Sequence, residues 1–306
     1  LTKEEWQGMF EQMLVKDPFC PQPIAMMQVI QDSLHLDDST TLQELIARMR
    51  FVRESLCSSK SASVCIKSAG ELYTLYVTRA PTAIENAESL NEVREILKSR
   101  SKDLLETYKK VTHAIGKISQ EIFQEQDAPI ILTHSWNQCV LQSCIEAKHH
   151  GHNIRVFVTE GRPLAQGDRM VKDLRAGGVP ADLIVDAAMA YYAQKSSIAL
   201  LGAEAVCPNG GIIARIGTAA MAAIAHVMDR RVYVLVESYR LTTDLMPLNN
   251  NSLQLEDLYG PMATAEQAKE IPRVDYTPPE HIDCFYTDIG QLQSGILHEI
   301  INMMFT

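Results

Sequence analysis

The run from Leu200 to Thr218, LLGAEAVCPNGGIIARIGT, decides how the rest of the chain is read. Its apolar opening predicts a strand. Asn209-Gly210-Gly211 then predicts a turn, because these residue types tolerate positive φ. A second short strand follows, broken at Gly217-Thr218, where a small residue and a capping hydroxyl predict the start of a helix. A helix N-terminus with free backbone N–H groups suits a phosphate. Glu204 and Arg215 are the charged side chains in this otherwise apolar run. Periodicity alone also allows a plain alternative, a buried strand–turn–strand with a capped helix.

Outward from this run, residues 127–306 alternate apolar β-rich runs with helical patterns. Strands are expected at 130–133, 154–159, 183–185, 198–201, 232–236 and 282–286. Helices are expected at 140–150, 168–177, 187–194, 218–228 and 294–304. Near-continuous apolar strands alternating with helices predict a parallel sheet buried on both faces. Such sheets place ligands beyond the carboxyl ends of their strands. That rule draws attention to Ser135, Glu160-Gly161-Arg162, Glu204 and Glu237 together. The segment 241–272 is a long polar connection with Asn249-Asn250-Asn251, expected to be a surface excursion over a partner face.

Residues 1–126 read as a helical domain, with Asp127-Ala128-Pro129 as the junction to an α/β domain at 127–306. Helices are expected at 1–15, ended by Asp17-Pro18, and at 24–36. A third runs from a capping box at Ser39-Thr40-Thr41 with Glu44 to about Leu56. A fourth spans 65–77. A long amphipathic segment at 83–124 is expected to break between Leu97 and Asp103.

The 306 residues suffice for two domains. A formal net charge of −10 argues against a polyanion-binding surface. Neither half is basic: residues 1–126 carry 15 basic and 18 acidic groups, residues 127–306 carry 13 and 20. No direct nucleic-acid partner is expected. The seven cysteines include no C-x-x-C pair, so neither a disulfide framework nor a metal site is expected. No apolar run reaches the roughly 18 residues needed to span a bilayer. No basic-then-apolar leader is visible either, so a cytoplasmic chain without a membrane partner is expected.

The opening run resembles the A-x-x-x-x-N-G-x-x-x-x-I-G-T signature of one family. That family joins methylthioribose-1-phosphate isomerase, ribose-1,5-bisphosphate isomerase and the alpha, beta and delta subunits of eukaryotic translation initiation factor 2B. Ile131-Leu132-Thr133-His134-Ser135, VTEGRPLAQGDRM from Val158 to Met170, and Tyr276-Thr277-Pro278-Pro279 with Thr287-Asp288-Ile289-Gly290 agree with it. Lys16-Asp17-Pro18 and Ser68-Ala69-Gly70-Glu71-Leu72 resemble the alpha-subunit branch. The resemblance implies an N-terminal helical domain followed by a Rossmann-like parallel-sheet domain.

Isomerases of this family move a carbonyl between C1 and C2 of a sugar phosphate. The resemblance implies two working side chains, a cysteine after Leu-Thr-His and an aspartate in Gly-Ala-Asp. Here Ser135 and Glu204 stand at those places, as vestigial positions. A serine does little without a base hydrogen-bonded to it, and His134 should point to the opposite face of the strand. Lengthening the carboxylate arm by a methylene is costly, since a ~1 Å misplacement can lose on the order of 100-fold in rate. Cys139 and Cys144 fall where a helix follows and do not replace the missing thiol.

The ligand-holding positions survive better. The resemblance assigns binding of a phosphate, sugar phosphate or nucleotide to Ser68, Gly70, Thr133, Arg162, Gln166, Asn209, Gly210, Arg215, Gly217 and Thr218. No other cofactor is implied. Arg215 supplies a planar fork for phosphate where the family often has lysine. The isomerases carry an Arg-Gly-Ala segment near Ser68 and Gly70, and that arginine is missing. The alternative for Arg162 and Arg215 is pairing with Glu160 or Glu204.

The first functional expectation is therefore a non-catalytic regulatory subunit of the guanine nucleotide exchange factor for translation initiation factor 2. The resemblance implies a homodimer, association with beta and delta subunits, and sensing of the phosphorylated alpha subunit of initiation factor 2. Candidate self-association surfaces are 140–147, 218–228 and the Met303-Met304-Phe305 tail. The alternatives are a divergent aldose–ketose isomerase using Glu204, and a regulatory subunit whose pocket senses a phosphate-bearing ligand.

Overall fold

The computed structural model describes residues 1–17, 20–59, 62–79, 87, 89–124, 128–243, 245, 247, 249 and 272–305. The polar excursion expected at 241–272, Pro18 and Asp127 thus lie partly or wholly outside the described residues. The chain divides into two compact units, one built on Leu1–Lys110 and the other starting at Val111.

The first unit is helical: α1 Lys3–Lys16, α2 Gln22–His35, α3 Leu42–Cys57, α4 Ile66–Thr78 and α5 Leu90–Lys109. The expected capping box holds the start of α3, and a second one, not foreseen, holds the start of α1. Thr41 accepts the N–H of Glu44, and the Glu44 carboxylate returns to the N–H groups of Thr40 and Thr41. Thr2 and Glu5 do the same for α1. The core is α2, whose Ala25, Met26, Met27, Val29 and Ile30 are all fully buried.

The break expected between Leu97 and Asp103 is absent, and α5 runs unbroken to Lys109. Its buried face continues through Leu97, Ser101, Leu104 and Leu105, and the polar member, Ser101, is hydrogen-bonded to the buried Tyr73 hydroxyl. A satisfied hydroxyl does not interrupt a helix face.

The second unit begins with α6, Val111–Ile118, which the sequence groups with the helical domain. It packs on α7, Gln138–His149. Gly116 permits the close approach, since a Cβ there would lie 3.1 Å from Gln142 Cγ. Ser119 and Ser143 share a hydrogen bond of 2.6 Å beneath it.

A seven-stranded sheet follows, built from β1 Ile130–His134, β2 Arg155–Thr159, β3 Ala181–Ile184, β4 Ile198–Gly202, β7 Arg231–Leu235, β9 Cys284–Thr287 and β10 Gly290–Leu292. Its order is β10-β9-β7-β4-β1-β2-β3, parallel except for β10. The remaining strands, β5 Ala205–Val206, β6 Ile212–Arg215 and β8 Val274–Thr277, form a separate antiparallel sheet that the parallel-sheet expectation did not include. Among the described residues this unit also contains helices α8 Gly167–Ala176, α9 Met189–Ala193, α10 Thr218–Val227 and α11 Leu297–Phe305, the last as far as Met303.

Strand β4 sits between β1 and β7, and α7 and α10 both pack on it. Ile198, Ala199, Leu200 and Leu201 are at most 2% exposed. That burial explains the unbroken apolar run that opened the reading. Within 140–147, Val140, Cys144 and Ala147 are wholly buried in the unit's own core, while Leu141 and Ile145 are half-buried. Val227 and Met303, by contrast, are more than three-quarters exposed.

Leu200→Ala should therefore cost about 2–5 kcal/mol, as a truncation in a core strand with little room to collapse. Urea denaturation measures this, and a loss under 1 kcal/mol contradicts the placement of β4.

Candidate functional site

The carboxyl ends of four adjacent strands, in the order β2-β1-β4-β7, carry the residues that the strand-end rule singled out. Strand β1 ends at His134 and delivers Ser135 with φ 59, in the left-handed region. For a non-glycine residue this conformation costs roughly 1–2 kcal/mol. Ser135 is held there by packing: it is 2% exposed, and a Cβ on Gly161 would come within 2.6 Å of its Oγ. Only glycine fits at 161, which itself has φ 69. The loop after β2 is thereby pressed onto Ser135. Asp186, just past the end of β3, fixes that loop, accepting the N–H groups of Gly161 at 2.9 Å and Arg162 at 2.8 Å.

His134 is fully engaged. Its Nε2 lies 2.8 Å from the Ile216 carbonyl oxygen, which can only accept, so Nε2 carries the proton. Its Nδ1 therefore accepts from Thr159 Oγ1 at 2.7 Å. Burial pushes the imidazole below the usual histidine range, opposed by the Ile216 hydrogen bond and by the charge of Asp186. A neutral histidine with both nitrogens used offers no base to Ser135. Thr133, one residue earlier, is buried inside the sheet. The two buried thiols of α7 are no substitute: burial raises Cys144 to about 12 and lifts Cys139 well above its ordinary value.

The register Leu132↔Ala199, continued along both strands, sets Ser135 level with Gly202, two residues before Glu204. The Asn137 side chain fills the space beside Gly202, where a Cβ would meet its Nδ2 at 1.8 Å. Ser135 and Glu204 thus stand at the same edge of neighbouring strands.

Glu204 opens the β5–β6 hairpin, whose register Ala205↔Ile213 puts Arg215 diagonally across from it. Arg215 Nε meets Glu204 Oε1 at 3.0 Å. Arg162 Nε likewise meets Glu160 Oε2 at 2.9 Å. At the end of β7 the buried Glu237 accepts Arg240 Nε at 2.6 Å and Tyr239 Oη at 3.1 Å. Arg240 Nη1 also donates to the Glu204 carbonyl oxygen at 3.3 Å. The pairing alternative for Arg162 and Arg215 is therefore the arrangement observed. Pairs as exposed as those of Arg162 and Arg215 contribute only about 0.2–1 kcal/mol each.

Asn209 sets the hairpin turn. Its Oδ1 accepts the Gly211 N–H at 3.0 Å, and its Nδ2 donates to Tyr276 Oη and the Pro247 carbonyl. Gly210 adopts φ 86 beside it. Gly217 has φ 101 and leads into α10, packed so tightly that a Cβ would reach His134 Cε1 at 2.7 Å. Thr218 turns its hydroxyl back to the Arg215 carbonyl. Gln166 precedes α8, half-buried. Ser68 and Gly70 lie in α4 of the helical unit, both buried. A Cβ on Gly70 would meet Met26 Cε at 2.7 Å.

The helix start expected to take a phosphate already has an anion. Asp275 of β8 accepts the Gly217 N–H at 2.7 Å and the Ala219 N–H at 3.2 Å. Its burial outweighs those bonds and raises the carboxyl to about 6. Neither Asp275 nor Asp186 was found from the sequence. Each is a single aspartate whose partner lies more than 20 residues away, without a spacing pattern to mark it. Among the described residues no cluster of His, Cys, Asp and Glu is arranged to hold a metal ion, and no helix is long and apolar enough to cross a membrane.

Asp275 titrates near 4 when unfolded and at about 6 when folded. Between those values the folded state binds more protons, so this group's contribution to stability falls as pH rises from about 4 to about 6, then levels. Asp275→Asn should remove that slope. Asp275→Ala should also strand two N–H groups, costing ~1–3 kcal/mol at neutral pH. Urea denaturation across pH 4–7 checks both; a wild-type minus Asn difference that is constant with pH contradicts the assignment.

The Initiation factor 2 subunit family matches residues 18–294. The chain is 28% identical over 306 residues to translation initiation factor eIF2B subunit alpha of Caenorhabditis elegans, covering 99% of each. It is 26% identical over 269 residues to ribose 1,5-bisphosphate isomerase of Archaeoglobus fulgidus, covering 83% of this chain and 79% of that one. Among solved structures, a chain of the tetrameric eIF2B-beta2-delta2 complex from C. thermophilum superposes with a TM-score of 0.79 at 16% identity, covering 99% of this chain and 95% of that one. The latter likeness is one of fold. With a match across most of its length, the chain belongs to the Initiation factor 2 subunit family.

Proposed function

We propose that this chain is a non-catalytic regulatory subunit of a translation initiation factor, of the eIF2B alpha type. It pairs with a second copy of itself in the cytoplasm and joins beta and delta subunits. There it makes guanine nucleotide exchange on initiation factor 2 sensitive to phosphorylation of that factor's alpha subunit. The near full-length likeness to the C. elegans subunit supports the subunit type.

The observation that carries the non-catalytic part is the state of His134. With Nε2 given to the Ile216 carbonyl and Nδ1 taken by Thr159, the imidazole has nothing left with which to activate Ser135. Glu204 is likewise engaged by Arg215 rather than poised over an open position. A carbonyl migration between C1 and C2 needs a group that removes a proton and one that returns it. The engagement of His134 and Glu204 supports reading the strand ends as lacking that pair.

Two assays test the proposal. In a reconstituted exchange reaction, phosphorylated initiation factor 2 should inhibit nucleotide release when the chain is present, and much less when it is omitted. Equal inhibition in both contradicts the sensing role. Incubation with ribose 1,5-bisphosphate, followed by NMR, should show no carbonyl migration; turnover that disappears in Glu204→Gln would establish the isomerase instead.

A further inference from the structure

Asn209 is followed by Gly210, and nowhere else in the chain does glycine follow asparagine. This dipeptide has a chemistry of its own. The backbone nitrogen after an asparagine can attack the side-chain carbonyl carbon, and a glycine there has no side chain to hinder the approach. The bond from Gly210 N to Asn209 Cγ forms, and the Cγ–Nδ2 bond breaks. The Gly210 amide proton leaves with the side-chain nitrogen as ammonia, and a cyclic succinimide remains. Water then opens the ring at either carbonyl. One opening gives aspartate. The other gives isoaspartate, whose main chain runs through the former side chain and is longer by a methylene.

In the hairpin the reacting groups are all engaged. Gly210 N–H donates to the Cys207 carbonyl at 2.9 Å. Asn209 Oδ1 accepts the Gly211 N–H at 3.0 Å, while Nδ2 donates to Tyr276 Oη at 2.9 Å and to the Pro247 carbonyl at 3.0 Å. The side chain cannot carry Cγ onto Gly210 N without giving these bonds up. Gly210 itself has no freedom on its other side, where a Cβ would lie 2.7 Å from Ser294 Cβ. Asn209 is only half-buried, so the water that opens the ring is at hand.

We propose that Asn209 is a deamidation site that the folded turn holds shut, and that it is modified when the β5–β6 hairpin opens. The change is one-way. Aspartate at 209 keeps an acceptor for Gly211 but loses both donations, and it sets a carboxylate beside the Pro247 carbonyl oxygen. Isoaspartate lengthens the turn and so displaces β6 along β5, against the register that pairs Ile213 with Ala205. Ser294 leaves the longer turn no space. Each opening of the hairpin therefore risks a permanent covalent mark in the segment that leads to Arg215 and Gly217.

The test incubates the full chain in warm, mildly alkaline buffer, folded and in guanidinium chloride. Mass spectrometry of the peptide containing residues 209 and 210 follows loss of the amide, and enzymatic methylation detects isoaspartate. The folded wild type should react roughly 100-fold more slowly than the denatured chain, because reaction waits on local opening. Tyr276→Phe removes one of the bonds to Nδ2 and should speed the folded-state reaction about three- to tenfold, with the denatured rate unchanged. Asn209→Gln should carry no product at this position. Equal rates in the folded and denatured wild type overturn the proposal. So does an unchanged folded-state rate in Tyr276→Phe, or an Asn209 that stays intact in the denatured chain. If Tyr276→Phe does not fold, the ratio in the wild type decides alone. None of these results bears on the exchange assay, so the regulatory role stands or falls separately.

Discussion

A single peptide group ties the strand ends together. The carbonyl of Ile216 is held by His134 from β1, and the N–H of the same peptide unit, on Gly217, is held by Asp275 from β8. The seven-stranded sheet thus grips one side of this peptide and the small antiparallel sheet grips the other. Gly217 is obligatory here on two counts, its φ of 101 and the imidazole pressed against its Cα. Everything described at the site depends on this clasp. It fixes the tautomer of His134 and the start of α10, and it sets the place of Arg215 two residues earlier.

The consequence is a set of strand ends whose polar groups answer one another. Three glutamates at the ends of β2, β4 and β7 each meet an arginine, and two aspartates hold backbone N–H groups. A catalytic site of this architecture would keep a titratable group poised and unspent. Here burial raises the thiols of α7, the imidazole is neutral and doubly bonded, and Ser135 is wedged against Gly161. The raised carboxyl is that of Asp275, spent on the N–H groups of Gly217 and Ala219. The arrangement fits a family whose named relatives include both eIF2B subunits and sugar-phosphate isomerases.

Much of this was legible in the sequence, for reasons that differ by element. The parallel strands were visible because burial on both faces leaves long apolar runs, as at 198–201. The capping box at Thr41 uses neighbours in sequence, and Asn209-Gly210 announces its turn through backbone conformation alone. The Glu204–Arg215 pair was foreseeable as an alternative because these are the charged side chains of one otherwise apolar strand–turn–strand run. The small sheet was hidden because β8 lies some 60 residues beyond its partner β6, and a four-residue strand carries little pattern. Asp275 and Asp186 were hidden for the same reason: a carboxylate that caps a distant backbone leaves no local trace. The expected break in α5 failed because Tyr73 satisfies Ser101, a contact that no one-dimensional pattern displays.

The clasp is open to direct observation by long-range proton–nitrogen NMR of the His134 ring. The neutral imidazole with its proton on Nε2 should be the form at neutral pH and should protonate only below the usual histidine range, with the Gly217 amide shifted by its bond to Asp275. An Nδ1-protonated tautomer would leave the Ile216 carbonyl without its donor, and an imidazolium at neutral pH would put a proton on the Nδ1 that accepts from Thr159; either result contradicts the account.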